Sequence, residues 1–176
     1  MDTQEINSAL NSNQITRNAF VGTFACDKLP ETIERIPFAT VVNTDVQSEP
    51  GAHWIAIYLP SWEEPIEYFD SYGEEPTNDY IVKFLDMVEE YSYNNRRVQN
   101  IFSASCGQHC IYFITKRCQN VTFNKIMNSY SYNSHGKNDK MVEEFCKKNV
   151  GFKTSKTELQ GFLIRQISRQ LIEGLQ

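Results

Sequence analysis

The sequence predicts an α+β fold in which helices cover one mixed β-sheet. The 176 residues are enough for one domain with a single substantial core, and we treat residues 1–176 as that domain. The apolar content of 40% and the aromatic content of 12% are typical of a folded chain. The hydrophobic pattern follows the order helix, strands, helix, strand, helices, which favours one sheet with helices packed on it.

The amino-terminal half supplies most of the predicted strands. Residues 3–10 predict a short helix that ends at a polar Asn-Ser-Asn run. Residues 38–43 are rich in β-branched side chains and predict a strand. Residues 53–59 are almost entirely apolar, which is typical of a central strand. The strand predicted for residues 65–70 follows after a short turn, so the two can pair as a hairpin.

Helices dominate the second half of the prediction. Apolar residues at helical spacing predict helices within 78–90, from Gly107 to about Cys118, and at 139–148. A strand is predicted at 97–102. Residues 157–175 predict an amphipathic helix, which either docks on the core or binds a partner.

Composition excludes several classes of protein. The net charge of −5 is a poor match to phosphate backbones, so DNA is not expected as a main ligand. No apolar run approaches the length that a membrane-spanning helix needs, and the N-terminus lacks a secretory pattern. We therefore expect an intracellular protein with reduced thiols, and the cysteines are Cys26, Cys106, Cys110, Cys118 and Cys146.

Cys106 stands where a polar loop gives way to an apolar-faced helix. Helix N-termini lower the pKa of a thiol and present free backbone N–H groups. Gly107 allows another backbone to approach closely. The position suits a nucleophile, although a free cysteine is more often a buried core residue.

His53 and Asp70 gain meaning from the predicted hairpin. His53 begins one strand and Asp70 ends the next, so the hairpin would make them neighbours. Taken singly, His53 is consistent with a half-buried structural histidine and Asp70 with a turn residue that bonds nearby N–H groups. As neighbours, the carboxylate can orient the imidazole.

These residues together resemble a known family. The run 51–54 (Gly-Ala-His-Trp), then Asp70, Gln99 and the Cys-Gly pair at 106–107 occur in the order and spacing of the adenovirus protease, adenain. The sequence is more distantly similar to the SUMO/NEDD8-specific (Ulp-type) proteases of the same clan. The resemblance covers roughly residues 18–120 and implies the adenain/Ulp-like cysteine protease fold.

The resemblance implies a role for each matched residue. Cys106 would be the nucleophile, His53 its general base and acid, and Asp70 the group that orients His53. Gln99 would donate its side-chain amide to the oxyanion beside the Cys106 backbone N–H. Trp54 would pack near the His53 ring or line the substrate cleft. Neither a cofactor nor a metal ion is expected.

The implied reaction is thiol acyl transfer on protein substrates. Proteases of this clan cut after small residues, commonly Gly. A viral or transposon maturation protease would cleave capsid precursors, in the host nucleus or cytoplasm or inside virions. The alternative is an isopeptidase that removes SUMO or ubiquitin-like modifiers. No cysteine lies between Asp27 and Ser105 to bind a disulfide-linked peptide activator, so the helix at 157–175 would either replace such a peptide or belong to the core.

Three rival interpretations are weaker. Cys106, His109 and Cys110 share a helical face, but a structural zinc site needs a fourth ligand and the sequence has no CxxC pair. A binding module that has lost activity conflicts with the complete set of catalytic residue types. An acyltransferase of the same fold would need a basic pocket, and no such pocket is evident from the sequence.

Overall fold

The computed structural model of the protein describes residues 1–150. The amphipathic helix predicted for residues 157–175 lies outside the described residues, so its two alternatives stay open.

In the described part of the chain, five strands form one mixed sheet in the order β1-β2-β3-β4-β5. The β1–β2 and β4–β5 pairs are parallel, and the β2–β3 and β3–β4 pairs are antiparallel. The strands are β1 (Phe20–Ala25), β2 (Phe38–Asn43), β3 (Trp54–Leu59), β4 (Ile66–Phe69) and β5 (Tyr91–Tyr93). The central strand β3 is apolar along nearly its whole length because both faces of the sheet are covered.

Within residues 1–150, five α-helices surround this sheet, which confirms the predicted α+β class. They are α1 (Thr3–Ser12), α2 (Asp79–Leu85), α3 (Cys106–Cys118), α4 (Phe123–Ser129) and α5 (His135–Val150). Helices α1, α3, α4 and α5 bury one face of the sheet, and α2 contributes to the core on the other. Within residues 1–150, no helix is both long enough and apolar enough to cross a membrane.

Helix α3 is the central helix of the larger core. Its residues from Cys106 to Thr115 are all buried, so it has no solvated face along this stretch. The ring of Phe113 stacks on that of Phe69 in β4, with centroids 4.6 Å apart and planes 6° apart. Arg117, near the helix end, donates to the Glu67 carboxylate at 2.6 Å. These contacts fix the helix that begins with Cys106 against the sheet that carries Asp70 at its end.

The predicted hairpin is confirmed: β3 and β4 pair antiparallel, with Ala56 opposite Phe69. The strand predicted at 97–102 is wrong. The backbone N–H groups of Val98 and Gln99 both donate to the Ser71 carbonyl, so they form no strand ladder. The strand after α2 is β5 instead, and α2 ends earlier than the predicted range, at Leu85.

The sequence prediction also missed β1 and α4. Strand β1 contains Gly22 and has an irregular register with β2 between Phe20 and Gly22, which hides its period. Helix α4 is only seven residues long and buries one side chain, Ile126.

Candidate active site

Cys106 is the first residue of α3 and is only 5% exposed. The Ser105 side chain forms no hydrogen bond that caps the helix, so the first turn keeps its unpaired N–H groups and positive end toward the thiol. Burial by itself raises the pKa of the Cys106 thiol. The interaction with His53 outweighs burial, and the pKa lies below its usual value of 9.0.

His53 lies directly before β3, and its imidazole ring interacts with the Cys106 thiol. Its Nε2 lies 2.7 Å from Oδ1 of Asp70. Its Nδ1 is buried and has no hydrogen-bond partner within residues 1–150, so this nitrogen can exchange a proton with the Cys106 thiol. Burial lowers the pKa of His53, but the charge and hydrogen bond of Asp70, with a smaller effect of Cys106, raise it to about 10. The two shifts together favour a thiolate beside an imidazolium.

Asp70 is held rigidly at the end of β4. Its carboxylate accepts the Tyr72 backbone N–H at 2.8 Å in addition to the His53 ring. The Asn94 side chain accepts from the Asp70 backbone N–H at 2.9 Å and donates to the Asp70 carbonyl. Asn94 directly follows β5, and β5 pairs with β4. Asn94 is only 5% exposed. The sequence analysis missed Asn94, because a contact from a distant loop leaves no local pattern.

Tyr72 is a second residue that the sequence analysis missed. Its ring stacks on His53 with centroids 4.7 Å apart and planes 29° apart. This contact restricts the tilt of the imidazole, and burial raises the pKa of the Tyr72 phenol. The β3–β4 register, continued beyond the strands, puts Tyr72 opposite His53. This register could have identified Tyr72 from the sequence.

Gln99 is fully buried in the loop that leads to Cys106. Its Oε1 accepts the Ser71 hydroxyl at 2.6 Å, which leaves the amide nitrogen pointing the other way. That nitrogen donates to the Ser103 carbonyl at 2.9 Å, within the same loop. The orientation of the amide is thus fixed, and its role at an oxyanion stays a prediction.

Trp54 directly follows His53 and packs, partly buried, against the larger core. Its indole N–H donates to the Met1 carbonyl at 3.2 Å. Trp54 and Cys106 both line a cleft of about 780 Å³, whose other walls include the loop at 44–52. Gly51 in that loop has φ of +84°, and a Cβ there would meet the Asn43 amide at 2.6 Å. The cleft position agrees with a substrate-lining role for Trp54, which stays a prediction.

Two of the three candidate zinc ligands, His109 and Cys110, are committed to other contacts. The His109 ring lies within hydrogen-bond distance of Asp139 and Tyr130, and the Cys110 thiol donates to the Trp54 carbonyl. Burial raises the pKa of Cys110 well above 9.0, so its thiol stays protonated. Among residues 1–150, no group of three His, Cys, Asp or Glu side chains is placed to hold a metal ion.

Fold and site together resemble those of the adenain/Ulp-like cysteine proteases. A nucleophilic thiol site combines a thiol at a helix N-terminus with a histidine beside it and an acid that orients the histidine. The comparisons with known proteins agree with this class. The chain is 27% identical to a cysteine protease of African swine fever virus over 119 residues, which are 56% of this chain and 42% of that protein. It is also 27% identical to the protease of bovine adenovirus 7 over 128 residues, 63% of this chain and 61% of that protein.

The fold comparison gives the same answer. A crystal structure of the African swine fever virus protease superposes with a TM-score of 0.57 at 18% identity, covering 88% of this chain and 68% of that one. No family model matches the chain. The matched part of the sequence spans less than half the length of the African swine fever virus protein. The resemblance to viral cysteine proteases inferred from the spacing of His53, Asp70, Gln99 and Cys106 is therefore confirmed.

Proposed function

We propose that this chain is a cysteine protease in which Cys106 is the nucleophile, His53 the general base and acid, and Asp70 the orienting acid. The observation that carries the proposal is the 2.7 Å contact between His53 and Asp70, beside a thiol whose pKa is lowered by His53. Each shift favours the charged pair that a thiol protease needs at neutral pH.

The proposed reaction has two acyl-transfer steps. The Cys106 thiolate attacks the substrate carbonyl carbon, and the resulting oxyanion accepts hydrogen bonds from the Cys106 backbone N–H and the Gln99 amide. Protonated His53 gives its proton to the leaving amine as the C–N bond breaks, which leaves a thioester. Neutral His53 then takes a proton from water as the water oxygen attacks the thioester, and the thiolate is released.

For the substrate we propose viral protein precursors cut after a small residue, commonly Gly. The similarity to proteases of two virus groups supports this substrate class. The second candidate is an isopeptidase acting on SUMO-like conjugates. It is supported by the name SUMO-1 cysteine protease carried by several African swine fever virus relatives, one of which is 28% identical over 100 residues, 49% of this chain and 36% of that protein.

The nucleophile can be tested by labelling with a peptide vinyl sulfone that ends in Gly-Gly. We expect one adduct at Cys106 by mass spectrometry, strongly reduced in His53→Ala. Cys118 is the internal control, because it is partly exposed and burial raises its pKa to about 11. Equal labelling of Cys118 and Cys106, with no effect of His53→Ala, would contradict the proposal.

The two substrate classes can be separated by direct competition. Peptides with Gly at the cleavage position and SUMO or ubiquitin fusions are incubated with the protein at equal concentrations. Faster cleavage of the short peptides favours a maturation protease. Faster cleavage of the folded fusions favours the isopeptidase.

A further inference from the structure

We propose that Asp139 is a positioning residue that holds the loop at 99–105 in the shape required for oxyanion stabilisation. This loop, called the oxyanion loop below, begins with Gln99 and ends directly before Cys106. The proposal rests on the proposed function, because it concerns the two donors assigned to the oxyanion. Asp139 itself lies on α5, outside the strands and helix that carry the triad.

The Asp139 carboxylate binds both ends of the oxyanion loop. At one end, the backbone N–H of Asn100 donates to its two oxygens at 3.3 and 3.4 Å. At the other end, the Ser105 hydroxyl donates to Oδ1 at 3.0 Å. Asn100 follows Gln99 and Ser105 precedes Cys106, so a single side chain spans the segment between the two proposed donors.

The His109 ring supplies a third donor to the Asp139 carboxylate. Burial lowers the pKa of His109, against the opposing effect of Asp139, so the ring is neutral. The Tyr130 hydroxyl, 3.2 Å from Nδ1, can then donate to that nitrogen while Nε2–H donates to Asp139 at 3.0 Å. Asp139 is only 6% exposed, and a buried carboxylate is tolerated where donors satisfy it. Its position is therefore set by the core.

The neighbouring residue on α5 strengthens the same attachment. The Asn138 amide donates to the Val98 carbonyl at 2.9 Å and to the Ser131 carbonyl at 3.0 Å. Val98 directly precedes Gln99, so α5 contacts the chain on both sides of the Gln99 residue. Asn94 and the hairpin hold the His53–Asp70 pair, and within residues 1–150 neither Asn138 nor Asp139 forms a hydrogen bond with it.

This separation gives the proposal a distinctive consequence. Loss of the Asp139 carboxylate should misplace the oxyanion donors while the thiolate and its histidine stay in place. Alkylation by iodoacetamide needs a thiolate and no oxyanion donor, whereas a peptide aldehyde forms a hemithioacetal whose oxygen uses those donors. The two probes therefore read the two parts of the site independently.

The experiment compares the wild-type protein with Asp139→Asn, which keeps the shape and removes the charge. We expect aldehyde affinity and kcat for a Gly-containing peptide to fall together by about 100-fold, the size typical for one lost oxyanion donor. KM and the rate of Cys106 alkylation by iodoacetamide should stay close to wild type. Ile126→Val on α4 is the control for a modest loss of stability that leaves the oxyanion loop untouched.

Two results would overturn the positioning role. One is unchanged aldehyde affinity and kcat in a folded Asp139→Asn protein. The other is an equal fall in alkylation and aldehyde affinity, as a general structural defect would produce. If Asp139→Asn does not fold, Ser105→Ala decides the question: it should weaken aldehyde binding in the same direction by a smaller factor, and no change would refute the role. Failure of the wild-type protein to bind the aldehyde would instead refute the proposed function.

Discussion

The substitution Asp70→Asn tests the electrostatic pairing at the centre of the proposed site. Asparagine keeps an oxygen that can accept from His53 at about the same position, and it removes the negative charge. Burial then dominates the pKa of His53, which falls from about 10. A lower His53 pKa means less imidazolium at neutral pH, so the pKa of the Cys106 thiol rises toward its usual value.

The size of the effect follows from the type of hydrogen bond. The His53–Asp70 contact of 2.7 Å is charge-assisted, and such bonds are worth about 1.5–3 kcal/mol against about 0.5–1.5 kcal/mol for neutral ones. The difference of about 1–2 kcal/mol corresponds to a fall in kcat/KM of roughly 5- to 30-fold at pH 7. Asp70→Ala removes the acceptor as well and should cost more.

The assay is the pH dependence of kcat/KM with a fluorogenic peptide that contains Gly at the cleavage position. In the wild type, the thiolate is lost as pH falls through the lowered pKa of Cys106, and the imidazolium is lost as pH rises through about 10. In Asp70→Asn the acidic limit, set by Cys106, should move to higher pH and the basic limit, set by His53, to lower pH. The pH range of activity should therefore become narrower. Asp86→Asn, an exposed position on the end of α2, is the matched control for one lost charge. A wild-type pH profile in Asp70→Asn would refute the reasoning.

Three further predictions concern other parts of the structure. Gln99→Ala should lower kcat by about 100- to 1000-fold and leave iodoacetamide alkylation of the nucleophile unchanged; an equal loss in both measurements would contradict an oxyanion role. Arg117→Met should lower the free energy of unfolding in urea by about 3–5 kcal/mol, because the buried Glu67 carboxylate loses its partner. Adding Glu67→Gln should recover most of that loss, and no recovery would exclude this cause. Gly73→Ala should cost about 1–3 kcal/mol in the same assay, since φ is +75° and the new Cβ would clash with the Arg96 backbone; wild-type stability would show that the turn can adapt.

The sequence was sufficient to predict the site where reactive side chains lie at the ends of strands or helices with a clear hydrophobic period. His53 and Asp70 lie at the ends of strands whose hydrophobic pattern is clear, so the predicted hairpin was enough to place them near one another. Cys106 was added to this pair only through the resemblance to the adenain family. Strand β3 was predictable because both of its faces are buried and its residues are almost all apolar. The helix that begins at Cys106 was predictable from the helical spacing of Ile111, Ile114 and Cys118.

Other features left no pattern that a reader of the sequence could find. The segment 97–102 contains β-branched and aromatic residues that favour a strand. The N–H groups at 98–100 instead donate to Ser71 and Asp139, which belong to distant parts of the chain. Asn94 and Tyr72 support the proposed triad through contacts that only the tertiary fold creates. Polar residues in loops acquire such roles from their surroundings, and their identity alone does not reveal them.

The dependence of the oxyanion loop on α5 has a consequence for the order in which the site is completed during synthesis. The four residues proposed for chemistry all precede residue 107, yet the contacts that shape the loop come from Asn138 and Asp139. A nascent chain that has reached only residue 130 therefore contains every proposed reactive group without the helix that fixes two of them. We expect such an intermediate to lack efficient proteolysis, so that catalytic competence arises only once the later helix has docked.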